Sequence, residues 1–239
     1  MKISVCMATY NGEKYIKEQL DSILMQLKND DEIIISDDSS SDKTTEIVKA
    51  YNDKRIKIYE KQKFRSPIFN FENALQYASG DIIVLSDQDD VWENDKLDVV
   101  RESFKHLSDE IVLMMFNGRC IDENGSVLNN NLFEYIRIHQ GLISNIMKNS
   151  FIGCNIAFTK NLLNVVLPFP SDTPMHDMWL GTSAYIYGDV KFVNRKVFNY
   201  RLHENNYTGK KTSLIQKIKW RVVLIKNLIK RYLYVKYFS

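Results

Sequence analysis

Residues 80–92 read Gly-Asp-Ile-Ile-Val-Leu-Ser-Asp-Gln-Asp-Asp-Val-Trp. A short, unbroken apolar run stops abruptly in three carboxylates: Asp87, Asp89 and Asp90. A run of this length without polar alternation predicts a strand covered on both faces. The same form recurs upstream. Residues 3–8 exit into Thr9-Tyr10-Asn11-Gly12, and residues 32–36 exit into Asp37-Asp38-Ser39. Residues 56–59 and 111–116 are further strands of this type.

Helix-period segments separate these runs. Over 13–27, Tyr15, Ile16, Leu20, Ile23, Leu24 and Leu27 form one stripe. Residues 42–51 follow Ser39-Ser40-Ser41-Asp42, which suits a helix N-terminus near Asp42. A helix over 69–78 stops at Ser79-Gly80, and another covers 93–107. Strands alternating with helices imply right-handed crossovers and a mostly parallel, Rossmann-like α/β sheet flanked by helices. Beyond Gly118 the order loosens. Residues 121–125 read as a turn and 129–131 as a break, with helices expected over 142–147, 178–187 and 214–238. Strands are expected over 156–158 and 191–198.

Hydrophobic residues make up 44% of the 239 and charged residues 26%, as in an ordinary globular protein. The net charge of +2 hides a division. No Asp or Glu follows Glu204, yet nine Lys and Arg do, which leaves residues 1–204 with 23 basic against 30 acidic side chains, a net of −7. An acidic body excludes nucleic acid as the main partner. Cys6, Cys120 and Cys154 lie far apart in apolar surroundings and read as reduced core residues, hence a reducing compartment. No leader precedes residue 3 and no stretch of about 18 apolar residues occurs, so a cytoplasmic protein without a membrane span is expected.

Open parallel sheets bind ligands outside the carboxyl ends of their strands, where these polar clusters fall. Acids converging on one edge repel one another unless a cation neutralises them. A hard divalent ion, Mn²⁺ or Mg²⁺, sharing its shell with phosphates resolves that repulsion. The Asp87/Asp89 pair would hold it. Asp37 and Asp38 admit two readings: one carboxylate accepts a base N–H or a ribose hydroxyl, or Asp38 merely caps the helix that follows.

The run 4–12, then Asp37-Asp38-Ser39-Ser40-Ser41-Asp42, then Gly80-Asp81 leading into Ser86-Asp87-Gln88-Asp89-Asp90-Val91-Trp92, resembles glycosyltransferase family 2. Within it the bacterial rhamnosyl- and galactosyltransferases are most similar. The resemblance is strong over 1–110 and looser over 150–205. It implies a GT-A fold over 1–207, with a nucleotide-binding half (1–110) and an acceptor-binding half (111–207). It also implies inverting transfer of a sugar from a UDP- or dTDP-sugar to an acceptor hydroxyl. By position, Thr9, Tyr10 and Asn11 would line the nucleotide pocket and Asp38 would contact the base. Asp87 and Asp89 match the DxD motif, with Asp89 the metal ligand and Asp87 on ribose or metal. His176-Asp177-Met178-Trp179 matches the segment holding the catalytic base, here Asp177. Tyr200-Arg201-Leu202-His203 resembles a late motif that would bring Arg201 and His203 to the diphosphate, His203 also serving the metal. Gly153, Asn155 and Trp179 would border the sugar. Asp177 could instead cap the helix behind it, and His203 could be a surface residue. The Gln-x-x-Arg-Trp motif of processive synthases is absent, so long-chain polymerisation is not expected. A nucleotidyltransferase acting on sugar phosphates would show a Gly-rich basic loop after the first strand, and a non-catalytic binding module need not keep Asp38, Asp87, Asp89 and Asp177 together.

The segment 208–239 is a basic amphipathic tail. Its apolar residues recur at three- and four-residue steps among lysines, arginines and aromatics. Such a helix suits an anionic membrane surface, here the inner face of the cell membrane with a lipid-linked glycan acceptor. It could equally pack on the body or on a second subunit.

Overall fold

In a computed structural model, which describes residues 1–107, 109–204 and 213–238, strand–helix alternation builds one nine-stranded sheet with helices on both faces. The first half comprises β1 (Ile3–Thr9), α1 (Ile16–Leu24), β2 (Glu32–Asp37), α2 (Thr44–Ala50), β3 (Ile56–Tyr59), α3 (Pro67–Gln76) and β4 (Ile82–Ser86). After it come β5 (Val91–Trp92), α4 (Lys96–Ser103), β6 (Val112–Ile121), β7 (Val127–Asn129), α5 (Leu132–Ile136) and α6 (Leu142–Met147). The chain continues through β8 (Ile156–Thr159), α7 (Asn161–Val166), α8 (His176–Tyr187), β9 (Asp189–Arg201) and α9 (Leu214–Phe238).

The strand order is β3-β2-β1-β4-β8-β6-β9-β5, with β7 paired to β6. The first four neighbours are parallel, and β6 is parallel to β9. Only β8 runs against both its neighbours, β4 and β6, while β5 and β7 are short antiparallel additions. That reversal positions the site. With Ile82 opposite Thr159 and Val84 opposite Ala157, the start of β8 arrives at the carboxyl end of β4. Ile121 opposite Arg201 brings the ends of β6 and β9 to the same rim.

Side chains alternate across the sheet as strand geometry requires. Ile3, Val5, Met7, Ile33, Ile35, Ile82 and Val84 pack under Ile16, Leu20, Leu97 and Phe104 of one helical layer. Cys6, Ile34, Ile83 and Leu85 face Phe71, Leu75, Leu162 and Trp179 of the other. All three cysteines are free and buried.

Two helices are shorter than their periodicity predicts, because their first residues serve other contacts. Glu13 takes the amide of Lys43 and donates its own to Asp42, so α1 begins only at Ile16. The Glu93 amide bonds the carbonyl of Val197 at 3.0 Å, which delays α4 to Lys96. The strand β7 replaces part of an expected break, and α5 and α7 were not anticipated; none exceeds six residues, too few for a periodicity to declare itself. The helix expected over 214–238 is α9. The boundary expected between 207 and 208 lies outside the described residues. No described helix is long and apolar enough to cross a membrane.

Candidate active site

Parallel register sets Thr9 opposite Asp37, so the first two polar strand ends are neighbours. Thr9 is buried, and its hydroxyl donates to Asp37 Oδ2 at 2.8 Å. It therefore holds the loop rather than lining a pocket as the sequence reading expected. Asp37 also accepts the Ser40 amide (2.8 Å) and hydroxyl (2.6 Å). Asp38 caps no helix. Its two oxygens accept the amides of Phe64 (2.7 Å) and Ser66 (3.1 Å), fastening the loop before α3, while Asp42 receives the Thr44 amide at the start of α2. Asn11, at φ +48°, is likewise structural: its side-chain oxygen accepts the Ser41 amide at 2.8 Å. Tyr10 is the rim's exposed aromatic, at 59% exposure. Gln88 grips its backbone from both sides, accepting the amide and donating to the carbonyl, each at 3.0 Å.

Beside this loop lies an acidic cluster. Ligand atoms of Asp87, Asp90 and Cys154 lie within 4.8 Å of one another. Loss of solvent, followed by the charges of Asp89, Asp90 and Asp177, pushes Asp87 well above the usual carboxylate range. Burial, then Asp89, pushes Asp90 up to about 7. One oxygen of Asp90 accepts the Arg201 amide at 2.9 Å, and the other is buried without a partner among the described residues. Lys96 lies beneath, fully buried, its ammonium 3.9 Å from the Trp92 ring centroid and 3.2 Å from the Cys154 carbonyl; burial brings it down to about 7.

Asp89 meets His203: Oδ2 and Nε2 are 2.8 Å apart, and the His203 side chain is only 9% exposed, so it is held beside the acidic cluster and is not a stray surface residue. Arg201 requires a correction. It is 1% exposed, and its guanidinium donates to the carbonyls of Asp89 (2.8 Å), Asp122 (3.2 Å) and Glu123 (3.1 Å) and to Glu18 (2.6 Å). A guanidinium so committed positions the Asp89 loop and is not available to a diphosphate.

Asp177 stands in the first turn of α8 behind the cap residue Met175, 3% exposed, and burial pushes its carboxyl up to about 7. Its charge adds to those of Asp89 and Asp90 in raising Asp87. Gly153 and Asn155 occupy the turn that leads into β8. A Cβ on Gly153 would sit 2.4 Å from His176 Nε2, so only glycine admits that ring. Both polar side-chain atoms of Asn155 and both nitrogens of His176 are buried without a partner among the described residues, and burial brings His176 down to about 4. Trp179 also requires a correction. It is fully buried, with its indole N–H on the Val166 carbonyl at 3.1 Å, and is a core residue instead of a sugar contact.

The donor set bears on which ion these residues could hold. Burial raises the Cys154 thiol well above its usual range, so it stays protonated and is a poor partner for a hard cation. The carboxylates gathered among the described residues are therefore Asp87 and Asp90, while Asp89 pairs with His203 outside that group, so the expected set of Asp87, Asp89 and His203 is not assembled as such. Hard carboxylate oxygens suit Mn²⁺ or Mg²⁺, and the mutual repulsion that raises Asp87 is what a cation would relieve.

Sequence reasoning missed Asp90, Lys96, His176 and Gln88. Asp90 stood in the quoted motif, but its role depends on the chain returning at Arg201, 111 residues later. Nothing in the local sequence marks Lys96 as buried.

Comparison with known proteins supplies the last element. Residues 4–166 match the family model described as glycosyl transferase family 2. A dTDP-rhamnosyl transferase of Shigella flexneri, RfbG, is 30% identical over 240 residues, covering 92% of this chain and 79% of its own. The Escherichia coli UDP-Glc:alpha-D-GlcNAc-diphosphoundecaprenol beta-1,3-glucosyltransferase WfgD is 27% identical over 98% of this chain and 90% of its own. The chain spans 66% of the length of another curated relative. Among solved structures, S. aureus TarS 1–349 in complex with UDP-GlcNAc superposes with a TM-score of 0.74 at 22% identity, covering 95% of this chain and 67% of that one. The likeness establishes the GT-A fold. With a family model over residues 4–166 and a relative 30% identical over 92% of the chain, this chain belongs to glycosyl transferase family 2, a family of transferases.

Proposed function

We propose that the chain is an inverting glycosyltransferase that moves a sugar from a UDP- or dTDP-sugar to a hydroxyl of a glycan acceptor in bacterial polysaccharide or glycoconjugate synthesis. The donor chemistry follows that printed for the glucosyl- and rhamnosyltransferase relatives. The observation that carries the reading is Asp177: a carboxyl 3% exposed in the first turn of α8, in a chain of this family, where burial raises it to about 7.

In this reading Asp177 Oδ accepts the proton of the acceptor hydroxyl as that oxygen attacks the anomeric carbon. The bond from that carbon to the nucleotide diphosphate breaks as the new glycosidic bond forms, so one displacement inverts the centre and no enzyme nucleophile is needed. Asp87 and Asp90, with Asp89 and His203 moving in beside them, would hold Mn²⁺ or Mg²⁺, which would stabilise the negative charge of the departing diphosphate. In this reading the amide of Asn155, buried without a partner among the described residues, would bond a sugar hydroxyl. Tyr10 offers its exposed ring to the base. Asp38 and Arg201 fix the two loops between which the nucleotide would lie. The acceptor would be lipid-linked and the basic tail would hold the enzyme peripherally on the inner face of the cell membrane.

A thermal-shift screen of nucleotide sugars with Mn²⁺ tests this. A UDP- or dTDP-sugar should raise the melting temperature more with Mn²⁺ than with EDTA, and the responsive donor should then support transfer. A protein indifferent to every nucleotide sugar contradicts the reading.

A further inference from the structure

The tail helix α9 docks on the body with the less apolar of its faces. Leu224 and Leu228 are buried, Asn227 donates to Asp172 at 2.6 Å, and Arg231 donates to the carbonyls of Val165 (3.2 Å) and Leu167 (2.7 Å). These positions recur at three- and four-residue steps and define one side of the helix. The opposite side carries Leu214, Ile218, Val222, Ile225, Ile229 and Leu233, also at steps of three and four, and they are between 42% and 73% exposed. So the aliphatic stripe points outward. Such a stripe would ordinarily face the core. From Leu214 to Leu233 of the 25-residue helix it forms a ridge about 30 Å long. Helix α6 adds exposed Ile143 and Met147 beside it, where Arg221 bonds the Met147 carbonyl at 2.8 Å.

Charge selects the occupant. Lys219 and Lys230 border the stripe along one edge, with Lys226 between them paired to Asp172 of the body at 2.7 Å, and no acidic side chain occurs anywhere in residues 205–239. Two copies apposed through this face would set lysine against lysine with no acid in the helix to pair them. A surface that accepts a straight apolar ridge flanked by cations must be apolar within and anionic at its boundary. An anionic lipid bilayer meets both demands.

We infer that the outward face of α9 is a membrane-docking surface, lying in the plane of an anionic bilayer with its aliphatic stripe in the acyl boundary and its lysines among the phosphates. This rests on the reading of the tail as a peripheral membrane contact and specifies the face, the lipid charge and the orientation.

The test uses the full chain with two vesicle types, pure phosphatidylcholine and phosphatidylcholine with phosphatidylglycerol. The chain should co-sediment with the anionic vesicles and far less with the neutral ones. Replacing Ile218, Val222, Ile225 and Ile229 together by Gln should lower the partition coefficient by about 100-fold or more. Lys219→Gln with Lys230→Gln should lower it by about 30-fold, at about 1 kcal/mol per charge. Both variants change only exposed positions and should keep the wild-type melting temperature and nucleotide binding. If the chain binds anionic vesicles and the Gln stripe variant binds them equally, the tail reading survives and this face is wrong. Equal binding to neutral vesicles refutes the charge argument. A chain that ignores both vesicle types fails both readings, and a dimer lost in the stripe variant would assign the face to a second copy.

Discussion

Replacing Asp177 by Asn should make the protein more stable and nearly inactive at once. The carboxyl is 3% exposed, and burial raises it from 3.8 to about 7. Keeping it charged in the folded state therefore costs about 4 kcal/mol relative to the unfolded chain. The sign follows from proton occupancy. Between about 4 and 7 the folded state binds a proton that the unfolded state has lost, so stability falls as pH rises through this window. The cost is absent below about 4 and complete above about 7. Asn is never charged, and its side-chain oxygen can still accept the Met178 amide that Asp177 Oδ1 accepts at 2.6 Å. In EDTA, the Asn variant should exceed the wild type by about 2–4 kcal/mol at pH 8 and match it near pH 4, measured by urea unfolding across pH. With a responsive donor, kcat should fall by about 10²–10⁴-fold while donor affinity changes by less than about twofold. Wild-type kcat should rise with pH to a plateau above about 7, because the base must be ionised. An Asn variant no more stable at pH 8, or one keeping a tenth of the activity, would refute the reasoning.

Gly153→Ala drives a methyl group to within 2.4 Å of His176 Nε2, so it should cost about 1–3 kcal/mol of stability and lower kcat more than donor affinity, read by denaturant unfolding and steady-state kinetics. Trp179→Ala should cost about 3–5 kcal/mol through lost core packing; a selective loss of donor binding at unchanged stability would restore it to the sugar site. Asp38→Ala leaves the amides of Phe64 and Ser66 without their acceptor and should cost about 1–3 kcal/mol, with faster tryptic cleavage at Lys63 and Arg65.

Much of this was legible in the chain itself. The runs ending in Thr9, Asp37 and Asp87 read as covered strands because nothing polar interrupts them, and their polar exits had to fall on one edge once the sheet was parallel. Asp177 was singled out by resemblance alone, since its spacing from Asp87 gives no hint that the charge of one reaches the other. The errors at Arg201 and Trp179 share one cause. A motif fixes where a residue stands along the chain, whereas burial depends on what packs over it. For Arg201 that is Glu18 and the Asp122–Glu123 carbonyls, and for Trp179 it is the α7 segment. Lys96 shows the same limit in reverse. An ordinary surface lysine by sequence, it becomes a buried cation only because β8 runs antiparallel to β4 and brings Cys154 over it. The outward stripe of α9 was likewise visible as a periodicity but not as an exposed face, because the sequence does not say which side of a helix the body covers.

Titration of Mn²⁺ followed by electron paramagnetic resonance, with and without UDP or dTDP, addresses the acidic rim most directly. The wild type should bind one Mn²⁺ per chain, more tightly when the nucleotide is present, and Asp89→Asn should weaken that site by about 10- to 100-fold. Equal Mn²⁺ affinity in wild type, Asp87→Asn and Asp89→Asn, with no response to the nucleotide, would show that this rim does not hold a metal–diphosphate pair.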